Sequence, residues 1–183
     1  MKIIAVIPAR LNSTRLPNKL LIDICGKTLL RRTYEATKNS NLFDDVLVVT
    51  NSEEILKELN NNQIKFLFDK NQYETGTDRI AGVASDINAD IIINVQGDEP
   101  FINAKTIKLI INVFKNDFDK SVGIVSVMTP ISDDLELNNP NNVKVITDKA
   151  NNAIYFSRYP IPFKRNINLS LIHISEPTRL HCI

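Results

Sequence analysis

The chain has 183 residues, of which 43% are hydrophobic and 23% charged, an ordinary balance that allows a full core in one α/β domain. Its 22 Lys and Arg stand against 21 Asp and Glu, and the resulting net charge of +1 argues against a dedicated nucleic-acid binder with a basic face. No segment is apolar for long enough to span a bilayer, and two cysteines make neither a disulfide framework nor a metal spacing, so no membrane partner and a reducing cytoplasm are expected.

Ile3 to Ile7 reads as a strand buried on both faces, cut short by Pro8 and Arg10 where a signal peptide needs a longer apolar core. Residues 28 to 39 read as a helix, and Val46 to Val49 as a second strand. Ser52 before Glu53, Glu54 and Ile55 predicts a helix N-terminus with acids in its first turn. Ile64 to Phe68 is a third strand and residues 77 to 86 a helix, with Thr77 or Asp78 the natural cap. Ile91 to Val95 is a fourth strand. Residues 104 to 116 put Ile107, Ile110, Ile111 and Phe114 on one helical face. Ser132 to Asn142, rich in Asp, Asn and Pro, reads as a loop between strands at 122 to 128 and 143 to 146, with a further strand at 153 to 156. Strands alternating with helices predict a doubly wound, mostly parallel sheet with helices on both faces, a Rossmann-like α/β fold.

Ligands bind such sheets outside the carboxyl ends of the strands, where the strand order reverses. Two segments carry chemistry there. After the first strand, Ala9 to Lys19 puts Arg10, Arg15 and Lys19 beside the donors of Ser13 and Thr14, a set suited to phosphates and matching neither a Walker loop nor a dinucleotide fingerprint. After the fourth strand, Asn94-Val95-Gln96-Gly97-Asp98-Glu99-Pro100 offers two carboxylates beside a glycine. Asp98 suits Mg²⁺, which takes one or two carboxylates plus phosphate oxygens and water; a tight turn with a capping Asp is the plainer reading. Thr75-Gly76-Thr77-Asp78-Arg79 opens a helix, and helix N-termini also meet anions. Arg158 ends an apolar strand, where an acidic substrate would give it a partner.

Taken with Asn139-Pro140-Asn141-Asn142-Val143-Lys144-Val145 and Tyr155-Phe156-Ser157-Arg158, these segments resemble the 3-deoxy-manno-octulosonate (Kdo) cytidylyltransferases, in family order over residues 1 to about 165. The resemblance implies transfer of CMP from CTP to Kdo with release of pyrophosphate, for lipopolysaccharide or capsule, by a cytoplasmic homodimer. It implies that the nucleotide meets Ala9, Arg10, Ser13, Arg15, Lys19, Thr77 and Arg79, that Asp98 binds Mg²⁺, and that Gln96 and Arg158 face the sugar. Arg10, Lys19 and Asp98 are then the catalytic set, neutralising charge while the anomeric hydroxyl of Kdo attacks the α-phosphorus.

Four places depart from the family's habit: Leu11-Asn12 for an aromatic-small pair, Asn18 for Gly, Thr28 for Pro and Gly82 for Glu. Family members continue past Arg158 with a His-x-Gly-Ile-Tyr strand, a Glu-bearing helix and a later metal-site Asp, none of which occurs here, so low activity is expected. Residues 1 to 168 are expected to be the nucleotidyltransferase domain, incomplete at its C-terminus. Leu169 to Arg179 looks like one reading frame of a transposon adapter, so residues 169 to 183 are expected not to be native protein, which takes His173, His181 and Cys182 out of any mechanism. Two other readings compete: an acylneuraminate-type sugar nucleotidyltransferase, and a nucleotide-binding fragment without catalysis.

Overall fold

The computed structural model describes residues 1–11, 16–162 and 175–182. The chain divides into two compact units, Met1–Val125 with His181–Ile183, and Ser126–Leu180.

In the first unit, β1 (Ile3–Ala9) is buried along its whole length, as a central strand covered on both faces must be. It pairs in parallel with β2 (Asp45–Thr50) on one side and β4 (Ile91–Asn94) on the other, and β3 (Phe66–Phe68) extends the sheet beyond β2. The order β3-β2-β1-β4 reverses between β1 and β4, so the carboxyl ends of those two strands form the switch point. Ile4, Val6, Val49 and Ile92 pack against Ile80 and Val83 of α3 (Gly76–Val83) and Ile87 beyond it. The alternate side chains Ala5 and Ile7 are equally buried on the other face, where α1 (Leu29–Asn39) contributes Leu30 and Tyr34. Each buried Ile, Val or Leu side chain among these contributes about 1.5–3 kcal/mol on leaving water. The parallel, doubly wound arrangement is the one expected from the alternation of strands and helices.

Local signals explain most boundaries. Ser52 accepts from the Ile55 amide and starts α2 (Glu53–Asn61) as predicted. Asn103 caps α4 (Ala104–Asn116), whose bounds are the predicted ones. Thr28 accepts from the Arg31 amide at 3.2 Å, so the threonine that departs from the family's proline is the N-cap of α1. Asn18 has φ 55°, a left-handed conformation that Gly adopts freely and Asn tolerates, which accounts for that departure.

The expected cap of α3 is corrected. Thr75, not Thr77 or Asp78, is the N-cap, and Asp78 returns its carboxylate to the Thr75 amide at 3.1 Å, a reciprocal capping box. The helix runs as α-helix only to Val83; a 3₁₀ turn covers Ala84–Asp86.

The second unit carries β5 (Val125–Pro130), β6 (Lys144–Thr147) and β7 (Ala153–Ser157), with β6 and β7 antiparallel. The stretch expected as a loop holds a short helix, α5 (Asp134–Asn138), because Asp133 caps it through the Glu136 amide at 2.7 Å. Strand β8 (Ser175–Cys182) pairs with β6 through Ser175; its end, Cys182 and His181, lies in the first unit and pairs with β4. Residues 169–174, with His173, lie outside the described residues. No described helix is long and apolar enough to cross a membrane.

Candidate active site

Pro8, near the end of β1, organises the switch point. A Cβ on Gly76 would lie 3.0 Å from Pro8 Cγ, and one on Gly97 would lie 3.3 Å from the Pro8 carbonyl oxygen and 3.2 Å from Leu20. The absence of side chains at these two glycines therefore lets the start of α3 and the turn after β4 close on β1. Gly97 needs this approach, since it is not in the left-handed region. The Gly97 carbonyl accepts from the buried Thr33 hydroxyl at 2.9 Å, which fixes the turn from below.

That turn presents Asp98 to Lys19, 2.5 Å from Nζ to Oδ2, with the two side chains 39% and 25% exposed. An ion pair this open to water contributes at most about 1 kcal/mol to stability, so its significance is the placing of a cation and a carboxylate together at the switch point. Asn18 N–H donates to the Leu11 carbonyl at 3.4 Å. Ser13 and Arg15 lie outside the described residues.

The third segment approaches from α3. Asn94 is fully buried; its amide donates to Thr77 Oγ1 at 3.4 Å and its carbonyl oxygen accepts from Gln96 Nε2 at 3.3 Å. Arg10 Nη1 donates to the Glu74 carbonyl at 2.9 Å, holding its guanidinium on the loop before α3. Arg79 is 3% exposed, and its Nη1 has no hydrogen-bond partner among the described residues. Burial pushes the Arg79 guanidinium below its ordinary range; Asp69 and Tyr73 oppose that, while Arg10 adds repulsion. Two guanidiniums that repel each other, one with an orphaned donor, form an arrangement that an anion relieves.

Arg10, Lys19, Thr77, Arg79, Gln96 and Asp98, with the buried Ala9, thus belong to one unit around one switch point. Arg158 belongs to the second unit, where its Nη1 donates to the Pro140 carbonyl at 2.9 Å. Buried Lys144 donates from Nζ to the carbonyls of Asn139, Asn142 and Arg158 at 2.6, 3.0 and 3.1 Å. The Asn-Pro-Asn segment and Arg158 are therefore tied by one ammonium. Lys144 was visible in sequence only as part of a motif, and Asp69 and Tyr73 carried no signal beyond standing just before Thr75.

The profile of the family described as Cytidylyltransferase matches residues 4–179. The chain belongs to this cytidylyltransferase family. Among its relatives, the 3-deoxy-manno-octulosonate cytidylyltransferase of Flavobacterium johnsoniae is 50% identical over 165 residues, 90% of this chain and 68% of the relative. That of Chloroherpeton thalassium is 46% identical over 168 residues, 91% of this chain and 68% of the relative. A solved CMP:2-keto-3-deoxy-manno-octonic acid synthetase complexed with CTP is 32% identical, with a TM-score of 0.88 over 100% of this chain and 73% of that one. A cytidylyltransferase from Leptospira borgpetersenii, 26% identical, has a TM-score of 0.58 over 69% of this chain and 53% of that one. The family resemblance read from the motifs is thus borne out by relatives that span most of the chain, and the cytidylyltransferase fold is the one the strand order displays.

Proposed function

We propose that this chain transfers CMP from CTP to Kdo and releases pyrophosphate, working in the cytoplasm as a homodimer that supplies lipopolysaccharide or capsule synthesis. The observation that carries the reading is the Lys19–Asp98 pair at the carboxyl ends of β1 and β4, in a chain whose relatives bear the Kdo cytidylyltransferase name. The likeness to a synthetase solved with CTP supports the choice of nucleotide.

Arg10, Lys19 and Arg79, with Ala9, Ser13, Arg15 and Thr77, bind the triphosphate in this reading. Arg10 and Lys19 neutralise the pyrophosphate as it leaves, and positioning supplies the rest. Gln96 and, in the second unit, Arg158 are each assigned to the acid sugar, whose anomeric hydroxyl attacks the α-phosphorus.

The donor set fits Mg²⁺. The described residues hold no cluster of three or more ligating side chains. One partly exposed carboxylate beside a triphosphate is what Mg²⁺ takes when phosphates and water complete its shell. Asp98 would hold the ion, which when bound polarises phosphate oxygens. Lys19 occupies the same carboxylate, so it is the residue that must yield to the ion or to the phosphates.

The activity itself is tested by measuring pyrophosphate release with CTP and Kdo, against UTP and against neuraminate. Release with CTP and neuraminate but not Kdo would move the chain to the acylneuraminate type, and release with neither sugar would leave a nucleotide-binding fragment. A finer test concerns the phosphates. Lys19→Ala and Arg10→Ala should each weaken CTP binding about tenfold, the size of one lost charge-assisted bond, and CMP binding much less. Calorimetry showing equal losses for CTP and CMP would move both residues off the outer phosphates.

A further inference from the structure

The Arg79 guanidinium is held in an unusual way. It makes no ion pair among the described residues. The Tyr73 ring instead lies with its centroid 5.5 Å from Arg79 Cζ. That ring is itself fixed: its hydroxyl donates to Asp69 Oδ2 at 2.6 Å. Asp69 is anchored in turn, its amide donating to the Thr50 carbonyl at the end of β2 at 3.0 Å and its Oδ1 accepting from the Asn71 amide at 3.0 Å. The Tyr73 bond is the largest influence holding the Asp69 carboxyl below its ordinary range, so the carboxylate stays charged at neutral pH.

Residue 82 decides whether the ring can be there. A Cβ on Gly82 would lie 2.0 Å from the Tyr73 hydroxyl oxygen and 2.5 Å from its Cζ. Position 82 is also three residues after Arg79 on α3, the spacing from which a helical side chain would itself reach Arg79. Here that place is taken by Tyr73, arriving from the loop before the helix.

We propose that Tyr73, anchored by Asp69 and admitted by the bare Gly82, is a positioning residue that aims the buried Arg79 at the triphosphate. The inference rests on the nucleotide role given to Arg79 above. A carboxylate placed directly on Arg79 would occupy its N–H groups. A ring face steadies the charge and leaves Nη1, which has no partner among the described residues, available to a phosphate oxygen.

The test uses the full chain, with CTP affinity by calorimetry and melting temperature by circular dichroism. Arg79→Ala should weaken CTP about tenfold. Tyr73→Leu should weaken it roughly fivefold, and Tyr73→Phe less, since the ring remains and only the Asp69 bond is lost. The double variant Arg79→Ala/Tyr73→Leu should bind no worse than Arg79→Ala alone, because Tyr73 acts only through Arg79. Gly82→Ala evicts the ring without touching Tyr73 and should weaken CTP as Tyr73→Leu does, although alanine favours the helix and should leave the melting temperature unlowered. Losses that add in the double variant, or a Gly82→Ala protein that binds CTP like the parent, overturn the positioning role. Unchanged CTP binding by Arg79→Ala overturns the nucleotide role of Arg79 first, and is recognisable because no second variant is needed to see it.

Discussion

Asp98→Asn should lower turnover about a hundredfold or more, with the melting temperature moving by only a few degrees. The asparagine keeps the shape of the side chain and the turn that Gly97 and Thr33 hold, so the position of residue 98 should survive. Two things are lost. One is the ion pair with Lys19, whose partners are 39% and 25% exposed and whose contribution to stability is therefore about 1 kcal/mol at most. The other is the anionic oxygen that Mg²⁺ needs, and a neutral amide is a poor substitute for a carboxylate on a hard cation. Because the first loss is small, a large fall in turnover isolates the second. Pyrophosphate release is followed as Mg²⁺ is varied. A variant that turns over like the parent at limiting Mg²⁺ would remove Asp98 from the metal.

Much of this site was legible because its determinants are local. The run Ile3 to Ile7 announces a strand covered on both faces, although β1 carries on through Pro8, which pairs with Val49, and ends only at Ala9. The spacing of Ile107, Ile110, Ile111 and Phe114 announces α4 at its observed bounds. Where local signals competed, the reading slipped. Thr75, Thr77 and Asp78 can all cap a helix, and the choice of Thr75 follows from a reciprocal bond in three dimensions that the order of residues does not rank. The stretch that holds the short α5 reads as loop because Asp133 and Asp134 favour turns as readily as helix starts.

What could not be read is of another kind. Lysine is seldom fully buried, so nothing in the sequence singles out Lys144 as 0% exposed; its burial depends on three carbonyls that the fold brings together. Gly82 looks like a weak point in a helix, and its purpose appears only when Tyr73 is seen lying over it.

Lys144→Met is expected to have the largest effect outside the switch point. Methionine is close to lysine in length and apolar, so it fills the volume and donates nothing. An ammonium has three N–H donors, and here the Asn139, Asn142 and Arg158 carbonyls accept from it. Removing the donor leaves these acceptors, in part-buried bonds, short of a partner. Each such group costs about 1–3 kcal/mol where water cannot replace the donor, offset in part because a charge no longer has to be desolvated. Because the three bonds are only part-buried, a net loss of about 1–2 kcal/mol is expected, visible as a lower melting temperature. The effect on function should be selective. Arg158, which meets the sugar in the proposed reading, and the Asn-Pro-Asn segment, whose Pro140 carbonyl accepts from the Arg158 guanidinium, both hang on this ammonium. Arg10, Lys19 and Asp98 lie in the other unit. The KM for Kdo should therefore rise about tenfold or more, while CTP affinity stays near that of the parent at temperatures where the variant is folded. Steady-state kinetics with Kdo varied, beside calorimetry with CTP, separates these. Equal losses for Kdo and CTP in a folded variant would mean that Lys144 supports the whole chain and does not serve the sugar side in particular. An unchanged KM for Kdo would take Arg158 away from the sugar.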